Sequence, residues 1–178
     1  PAGVPHGEAR LMRYQHLLGR QFAWGSQDCF GLLRDFYRDL FDIELPNIAR
    51  PEDFYQKGLN LFAENYRSMG FKEIQLHPSE IKFGDVAVQA ISSTFGNHCG
   101  VFVENGRFLH HLYGGLSKVD PFRGIVRNNC IGFYRHQDVP SVTIETETRD
   151  LRDFLSPNKQ KLLDELRAAN SGTQDQAD

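Results

Sequence analysis

Cys29 stands where an apolar pattern typical of a helix begins, directly after Asp28. Apolar residues recur at helical spacing from Leu33 to Phe41, and Asp28 or Ser26 is a suitable N-cap for that helix. The amino end of a helix carries partial positive charge and unpaired N–H groups, which favour a thiolate over a thiol. Cys29 is therefore a candidate nucleophile, although a small cysteine that only packs in the core would fit the same position.

A thiol nucleophile needs a base, and three of the seven histidines fall within residues 97–111. The Asn105-Gly106 pair in this segment is a strong hairpin signal, so we expect two antiparallel strands joined by this turn. His98 and His110 would then lie on neighbouring strands, where one imidazole can act as base and the other can orient it. The alternative is that both are half-buried histidines of the sheet with backbone partners.

The same turn predicts a register for the hairpin. A two-residue turn at Asn105-Gly106 places residue 100 near residue 111. His111 follows His110 directly, and adjacent residues of a strand point to opposite faces of the sheet. For His111 we therefore expect a backbone partner and no part in the chemistry of the candidate site.

Helical patterns come first along the chain and strand patterns follow, which is the order of an α+β fold. We expect amino-terminal helices packed on an antiparallel sheet, because the strand segments are short and are separated by sequences typical of tight turns. The helices are predicted at residues 9–19, 28–41 and 51–69, and the strands at 71–76, 85–91, 98–104, 107–113 and 130–136.

The carboxy-terminal part of the chain differs in composition from the rest. Residues 1–137 are predicted to form the domain, and residues 138–178 to form a linker, a short helix and a polar tail. The helix, expected at 157–169, carries Leu162, Leu163 and Leu166 on one face, which suits docking to a neighbouring subunit. The same pattern would suit a helix that covers its own domain.

The composition narrows the classes of function. A net charge of −3 over 178 residues argues against binding to nucleic acid or to an anionic membrane surface. The three cysteines are widely spaced and lack a CxxC pair, so reduced thiols made in a cytosol are expected rather than disulfides. No apolar run approaches the ~18 residues of a membrane-spanning helix, and residues 1–10 lack the apolar core of a signal peptide. We therefore expect no membrane insertion.

Three segments, in the same order along the chain, resemble the NlpC/P60 family of cysteine peptidases. The first has an aromatic residue and a glycine before an Asp-Cys helix start, and the second is a Gly-Asp strand opening. The third carries a histidine and a second histidine twelve residues later. These segments are residues 22–32, 83–86 and 98–110. The resemblance implies a papain-like α+β fold.

The resemblance also implies an activity and its residues. The family hydrolyses peptidoglycan stem peptides, typically at a γ-glutamyl bond to a diamino acid, and needs no cofactor or metal. Here it implies Cys29 as nucleophile, His98 as base and His110 as the residue that orients the base. The residues expected to contact substrate are Phe22, Trp24, Asp28 and Tyr113. Asp28 would also fit as a helix cap alone, and Trp24 and Tyr113 as packing of the core.

A narrower similarity is to the tail assembly proteins of lambda-like siphophages, which carry an NlpC/P60 domain. It rests on residues 16–20, 28–35, 44–46 and 110–117. This similarity implies synthesis in the cytoplasm of a host bacterium, a place in the virion tail tip, and delivery to the cell wall on infection. The implied partners are bacterial peptidoglycan stem peptides and other phage tail-tip proteins.

Two positions depart from the family pattern. Phe30 stands where the family usually has a serine, and Phe22 or Trp24 stands where it has a tyrosine whose hydroxyl serves the active site. An oxyanion hole would then rest more on backbone N–H groups, including that of Cys29, and losing one donor typically lowers a rate about 10²–10³-fold. The alternative to an enzyme is therefore a structural plug or assembly factor of the tail tip with weak or no catalysis.

Two further alternatives involve other arrangements of the cysteines. In permuted relatives, such as lecithin retinol acyltransferase-like proteins, the histidines precede an Asn-Cys nucleophile, as they precede Cys130 here. A strand start at Cys130 would offer no helix dipole. A zinc site is the second alternative, although neighbouring ligands on one strand point apart. Its ligands would come from Cys29, His98, Cys99, His110 and His111.

Overall fold

A computed structural model describes residues 13–75 and 80–140 of the chain. Its helices are α1 (Cys29–Phe41), α2 (Leu61–Asn65) and α3 (Ile125–Asn128), and 3₁₀ turns lie at Gln15–Leu17 and Glu104–Gly106. Its strands are β1 (Phe71–Ile74), β2 (Val86–Gln89), β3 (His98–Phe102), β4 (Arg107–His110), β5 (Lys118–Pro121) and β6 (Cys130–His136).

The strands form one sheet in the order β1-β6-β2-β3-β4-β5. Every pairing between neighbouring strands is antiparallel. Helix α1 packs against β3 and β4 of this sheet. The arrangement confirms the predicted α+β fold, with an amino-terminal helix on an antiparallel sheet.

Helix α1 presents one apolar face to the sheet. It begins at Cys29 after the N-cap Asp28 and ends at Phe41, where Asp42 takes a left-handed φ of 58°. Burying each large apolar side chain contributes about 1.5–3 kcal/mol, so this face holds the helix, and with it Cys29, in place on β3. The large side chains buried on this face are Phe30, Leu32, Leu33, Phe36, Tyr37 and Leu40.

The helix predicted at 51–69 is wrong over most of its length. Only Leu61–Asn65 is α-helical, and turns occupy residues 52–58. Asp53 has a φ of 56° and Gly58 a φ of 78°, which are backbone angles that a right-handed helix cannot contain. None of the helices within the described residues is long and apolar enough to cross a membrane.

The five predicted strands are present, four of them with shorter bounds, but β5 was not predicted. Among the described strands, this one lies at the edge of the sheet and pairs with β4. Its single aliphatic residue, Val119, stands between Lys118 and Asp120. An edge strand needs little apolar character, so the hydrophobic pattern that reveals a strand in the sequence is weak here.

Predictions for the two ends of the chain fall largely outside the described residues. Of the helix predicted at 9–19, the described part contains the 3₁₀ turn Gln15–Leu17. The linker, helix and polar tail predicted for 138–178 lie outside the described residues from position 141 onward. The proposed boundary at 137 therefore stays a prediction.

Candidate active site

The start of α1 at Cys29 is held by the carboxylate of Asp28. Its Oδ1 accepts a hydrogen bond from the backbone N–H of Gly31 at 2.8 Å, and its Oδ2 accepts one from the backbone N–H of Gly25 at 2.8 Å. The first of these bonds shows that Asp28 is the N-cap, out of the two candidates Asp28 and Ser26. The Cys29 side chain is half-buried at this first turn and lines a cavity.

The same carboxylate forms a buried ion pair with Arg50. The guanidinium donates from Nε to Oδ2 of Asp28 at 2.9 Å and from Nη2 to Oδ1 at 3.1 Å. Both side chains are only 4% exposed. Nη1 of Arg50 donates to the backbone carbonyl of Ile48 at 2.6 Å, which ties the loop before Pro51 to the helix start. Since both oxygens of Asp28 are already bonded, its contact with substrate stays a prediction.

The hairpin between β3 and β4 turns over three residues, Glu104–Gly106, instead of the predicted two. The register is therefore shifted by one residue from the predicted one, and Gly100 faces His110 rather than His111. A shift of one residue moves every side chain of a strand to the other face of the sheet. The observed register places His110 on the same face as His98, which the predicted register would not have done.

The two histidines are joined by a hydrogen bond. Nε2 of His98 lies 3.1 Å from Nδ1 of His110, and both side chains are buried. Gly100, which faces His110, makes this approach possible. A Cβ atom at Gly100 would lie 2.8 Å from Cβ of His110 and 2.7 Å from the carbonyl oxygen of Leu109. A side chain at this position would therefore displace His110.

The Cys29 thiol interacts with the side chains of Cys99 and His98 of β3, and both lower its pKa. The interaction with Cys99 is the largest influence that holds the pKa of the Cys29 thiol well below its usual range. The hydrogen bond and charge of His98 lower this pKa further, whereas burial and the charge of Asp28 raise it. Burial raises the pKa of the Cys99 thiol. Of these two thiols, Cys29 is therefore the one that loses its proton more readily.

Asp120 of β5 lies behind His110 and was not predicted to belong to the site. Nε2 of His110 is 3.2 Å from Oδ2 of Asp120, and Nζ of Lys118 is 2.9 Å from the same oxygen. Burial, followed by the charge of His98, lowers the pKa of His110 to about 4 against the raising effect of Asp120. His110 is therefore neutral at pH 7.

A cavity of about 500 Å³ opens beside Cys29 and His98. One of its walls is aromatic, since the ring centroid of Phe22 lies 5.9 Å from that of Trp24 and 5.2 Å from that of Tyr113. Such a wall offers an apolar surface to a bound peptide. The residues predicted to contact substrate all line this cavity, namely Phe22, Trp24, Asp28 and Tyr113.

Neither alternative arrangement of the cysteines gains support. Sγ of Cys130 donates to the carbonyl of Gly132 at 3.6 Å, and burial raises the pKa of this thiol, the reverse of the direction for Cys29. His111, one of the suggested zinc ligands, instead donates from Nε2 to the carbonyl of Gly115 at 3.2 Å. Within the part of the chain that the structure describes, no group of three or more His, Cys, Asp or Glu side chains is arranged to hold a metal ion.

Arg50, Cys99 and Asp120 belong to this site but were missed in the sequence. Arg50 is 22 residues from its partner Asp28, so no local pattern links the two. The only signal for Asp120 was the alternation of Lys118 and Asp120 about one aliphatic residue, which puts two charges on one face of a short strand. Cys99 was noted only as a possible zinc ligand.

The low pKa of His110 predicts that the protein loses stability in acid. The unfolded chain takes up this proton near pH 6.5, whereas the folded protein takes it up only near pH 4. The stability contributed by neutral His110 is therefore complete above pH 6.5 and is lost as the pH falls toward 4. Between pH 7 and pH 4.5 we expect the free energy of unfolding to fall by about 2–3 kcal/mol from this group alone.

Urea unfolding at a series of pH values measures this loss. The His110→Asn variant is the control, because it lacks the titrating group but keeps a polar side chain. Its free energy of unfolding should fall less over the same range than that of the wild type. Equal losses in the two proteins would show that His110 is not the group responsible.

Comparison with known proteins places the chain in a family. The model of the NlpC/P60 family matches residues 19–135, which is well over half of the chain. The chain belongs to the NlpC/P60 family, as its sequence motifs predicted. Members of this family are generally cysteine peptidases and peptidoglycan hydrolases.

Individual relatives share this domain. Tail tip assembly protein K of Escherichia phage lambda is 33% identical over 122 residues, which cover 68% of this chain and 60% of that protein. Tail tip assembly protein K of Escherichia phage N15 is 29% identical over 140 residues, which cover 76% of this chain and 56% of that protein. The chain thus spans less than two thirds of the length of these curated relatives.

A solved structure shows the same fold. An NlpC/P60 family protein from Bacillus cereus ATCC 10987 matches with a TM-score of 0.51 at 15% identity, covering 75% of this chain and 41% of that one. At this identity the match concerns the fold alone. It confirms the NlpC/P60 fold expected from the sequence.

Proposed function

We propose that this domain is a cysteine peptidase that cleaves amide bonds in the stem peptides of bacterial peptidoglycan. The observation that carries the proposal is the position of Cys29 at the capped start of a helix, on the wall of a cavity that His98 also lines. His98 is in turn hydrogen-bonded to His110 at 3.1 Å. A thiolate, a base and a group that orients the base are the parts that nucleophilic catalysis requires.

The proposed reaction has two stages. In the first, the Cys29 thiol gives its proton to His98, Sγ attacks the carbonyl carbon of the amide, and a C–S bond forms. His98 protonates the leaving nitrogen as the C–N bond breaks, which leaves an acyl group on the sulfur. In the second, His98 takes a proton from water, the resulting hydroxide attacks the thioester, and the C–S bond breaks to regenerate the thiolate.

The oxyanion of each tetrahedral intermediate needs hydrogen-bond donors. The first N–H groups of a helix have no partner within it. The N–H of Gly31 is bonded to Asp28, so the donor that we propose beside the reacting sulfur is the N–H of Cys29. The aromatic residues Phe22 and Trp24 offer no hydroxyl to add to them. We therefore expect hydrolysis slower, by about 10²-fold or more, than in a relative that has the tyrosine.

The bond we propose is the γ-glutamyl bond to a diamino acid. The cavity beside Cys29 has a volume of about 500 Å³, which is large enough for a short peptide, and one of its walls is aromatic. Glu52 and Asp53 are exposed residues that line the same cavity. Their negative charge suits a diamino acid, which carries an additional amino group.

Digestion of purified peptidoglycan tests the proposed function. Sacculi are incubated with and without the full chain, and the soluble products are separated and weighed by mass spectrometry. We expect stem-peptide fragments that end at the γ-glutamyl residue only in the sample with protein. Intact stem peptides in both samples would contradict the proposed peptidase activity. Fragments cut at another amide would support that activity but show that the bond is not the γ-glutamyl bond.

A second role is supported by the similarity to the two tail tip assembly proteins. We infer that the chain is made in the cytoplasm of a host bacterium and becomes part of a phage tail tip, where it contacts other tail proteins. Delivery with the tail would bring the cavity to the cell wall on infection. The structural and enzymatic roles are compatible, because the first requires the surface of the domain and the second requires its cavity.

A further inference from the structure

The hydrogen bond between His110 and Asp120 constrains which ring nitrogen carries the proton in both His110 and His98. Asp120 lies on β5 next to β4, where Lys118 faces His110 and Asp120 faces Phe108. Side chains at positions two apart on a strand share a face, so Asp120 lies on the face of the sheet that carries His110. Its Oδ2 is 3.2 Å from Nε2 of His110, on the side of the ring away from His98.

An ionised carboxylate only accepts hydrogen bonds, which fixes the position of the proton on each imidazole. Burial would raise the pKa of Asp120, but hydrogen bonds from Lys118 and His110 outweigh it and hold this pKa below its usual range. Nε2 of His110 must therefore carry its proton toward Asp120. A neutral imidazole has one N–H, so Nδ1 of His110 is left as an acceptor.

The same reasoning carries the constraint to the nucleophile. Nδ1 of His110 can accept only if Nε2 of His98 donates across the 3.1 Å bond. This leaves Nδ1 of His98 as the nitrogen that accepts the proton of the Cys29 thiol. When His98 becomes protonated beside the thiolate, its Nε2–H still has an acceptor. If His110 carried its proton on Nδ1 instead, two N–H groups would face each other and protonated His98 would be disfavoured.

We propose that Asp120 is a positioning residue of this active site, which acts through His110 to hold His98 in the tautomer that can accept the proton of Cys29. The inference rests on the proposed function, since it assigns a part in the same reaction. It extends the site from the two central strands to the edge strand β5. Asp120 touches neither the sulfur nor the substrate.

The tautomer can be measured directly. Long-range ¹H–¹⁵N spectra of the full chain labelled with [¹⁵N]histidine report which ring nitrogen of each histidine is protonated. In the wild type we expect both His98 and His110 to be protonated on Nε2 and not on Nδ1. In Asp120→Ala and in Asp120→Asn, His110 should show a mixture of tautomers. A single Nε2–H tautomer of His110 in both variants would overturn the proposal.

The reactivity of Cys29 gives a second measurement that does not depend on peptidoglycan. The rate of alkylation by iodoacetamide is followed against pH, with Cys130 as the internal reference in the same peptide map. In Asp120→Ala the profile of Cys29 should move to higher pH while that of Cys130 stays in place, and hydrolysis should fall about tenfold or more. Asp120→Glu keeps the acceptor and should restore part of both. An unchanged profile for Cys29 would overturn the proposal.

Lys118→Gln separates this role from that of a surface ion pair. It removes the cation that lies 2.9 Å from Asp120 but keeps the carboxylate. We expect the tautomer of His110 and the profile of Cys29 to stay as in the wild type. Changes equal to those of Asp120→Ala would show that the ion pair, not the carboxylate on His110, is what matters, and would overturn the proposal. If the wild type hydrolyses nothing, the proposed function fails, whereas the tautomers and the alkylation profile still decide the role of Asp120.

Discussion

The Cys29→Ala variant is expected to lose hydrolysis of peptidoglycan by a factor of about 10³ or more while it keeps its fold. The reason is that the sulfur forms the covalent bond with the substrate, and the donors at the start of α1 alone recover only a small part of the rate. The side chain is small and half-buried, so its removal costs little packing. Release of stem-peptide fragments from sacculi measures the rate, and circular dichroism checks the fold.

Cys130→Ala is the matched control for this experiment. Cys130 is also a half-buried free thiol, but burial raises its pKa, and its Sγ donates a hydrogen bond to the carbonyl oxygen of Gly132. Hydrolysis by this variant should equal that of the wild type. Loss of activity in Cys130→Ala together with normal activity in Cys29→Ala would reverse the assignment of the nucleophile.

The same Cys29→Ala variant separates the two roles proposed for the chain. A phage that carries it should still assemble tails, because the change lies in the cavity and leaves the surface of the domain unaltered. The infectivity of this phage should fall only at the step at which the cell wall must be opened. Tails that fail to assemble would mean that the sulfur, or the cavity around it, takes part in assembly itself.

Asp28→Ala is expected to have the largest effect on stability, lowering the free energy of unfolding by about 3–5 kcal/mol. The variant leaves the guanidinium of Arg50 buried and unpaired, with only 4% of its side chain exposed. It also removes the N-cap of α1, which contributes about 1 kcal/mol of this. Such a loss is a large fraction of the total stability of an ordinary domain. Denaturation in urea measures it.

Two comparisons test the cause of that loss. Asp39→Ala removes a carboxylate that pairs with the exposed His16 and Arg38, and it should cost no more than about 1 kcal/mol. Asp28→Ala combined with Arg50→Met should cost less than Asp28→Ala alone, because the unpaired charge is gone. If Asp28→Ala cost as little as Asp39→Ala, the buried ion pair would have no stabilising role at the start of the helix.

These two predictions concern adjacent residues with different tasks. The sulfur of Cys29 is proposed to react, whereas Asp28 holds the helix start and the loop that carries Arg50 in one position. A weakened helix start would move the sulfur away from His98. We therefore expect Asp28 variants that still fold to show slower hydrolysis as well, although Asp28 need not touch the substrate.

Local features of the site could be predicted from the sequence. The helix start at Cys29, its cap by Asp28 and the order of helices before strands depend on residues that are neighbours along the chain. Capping and hydrophobic periodicity act over a few residues, so they can be recognised without knowledge of the fold. The family of the chain followed from motifs of the same local kind.

Contacts between distant segments were decided only by the tertiary structure. The turn at Glu104–Gly106 contains three residues instead of two, and this single difference determines that His110 shares a face with His98. The register is selected by packing on both faces of the sheet, which no turn signal contains. The contacts of Asp28 with Arg50 and of His110 with Asp120 could not be predicted for a related reason. Each pair joins elements that come close together only after the sheet has formed.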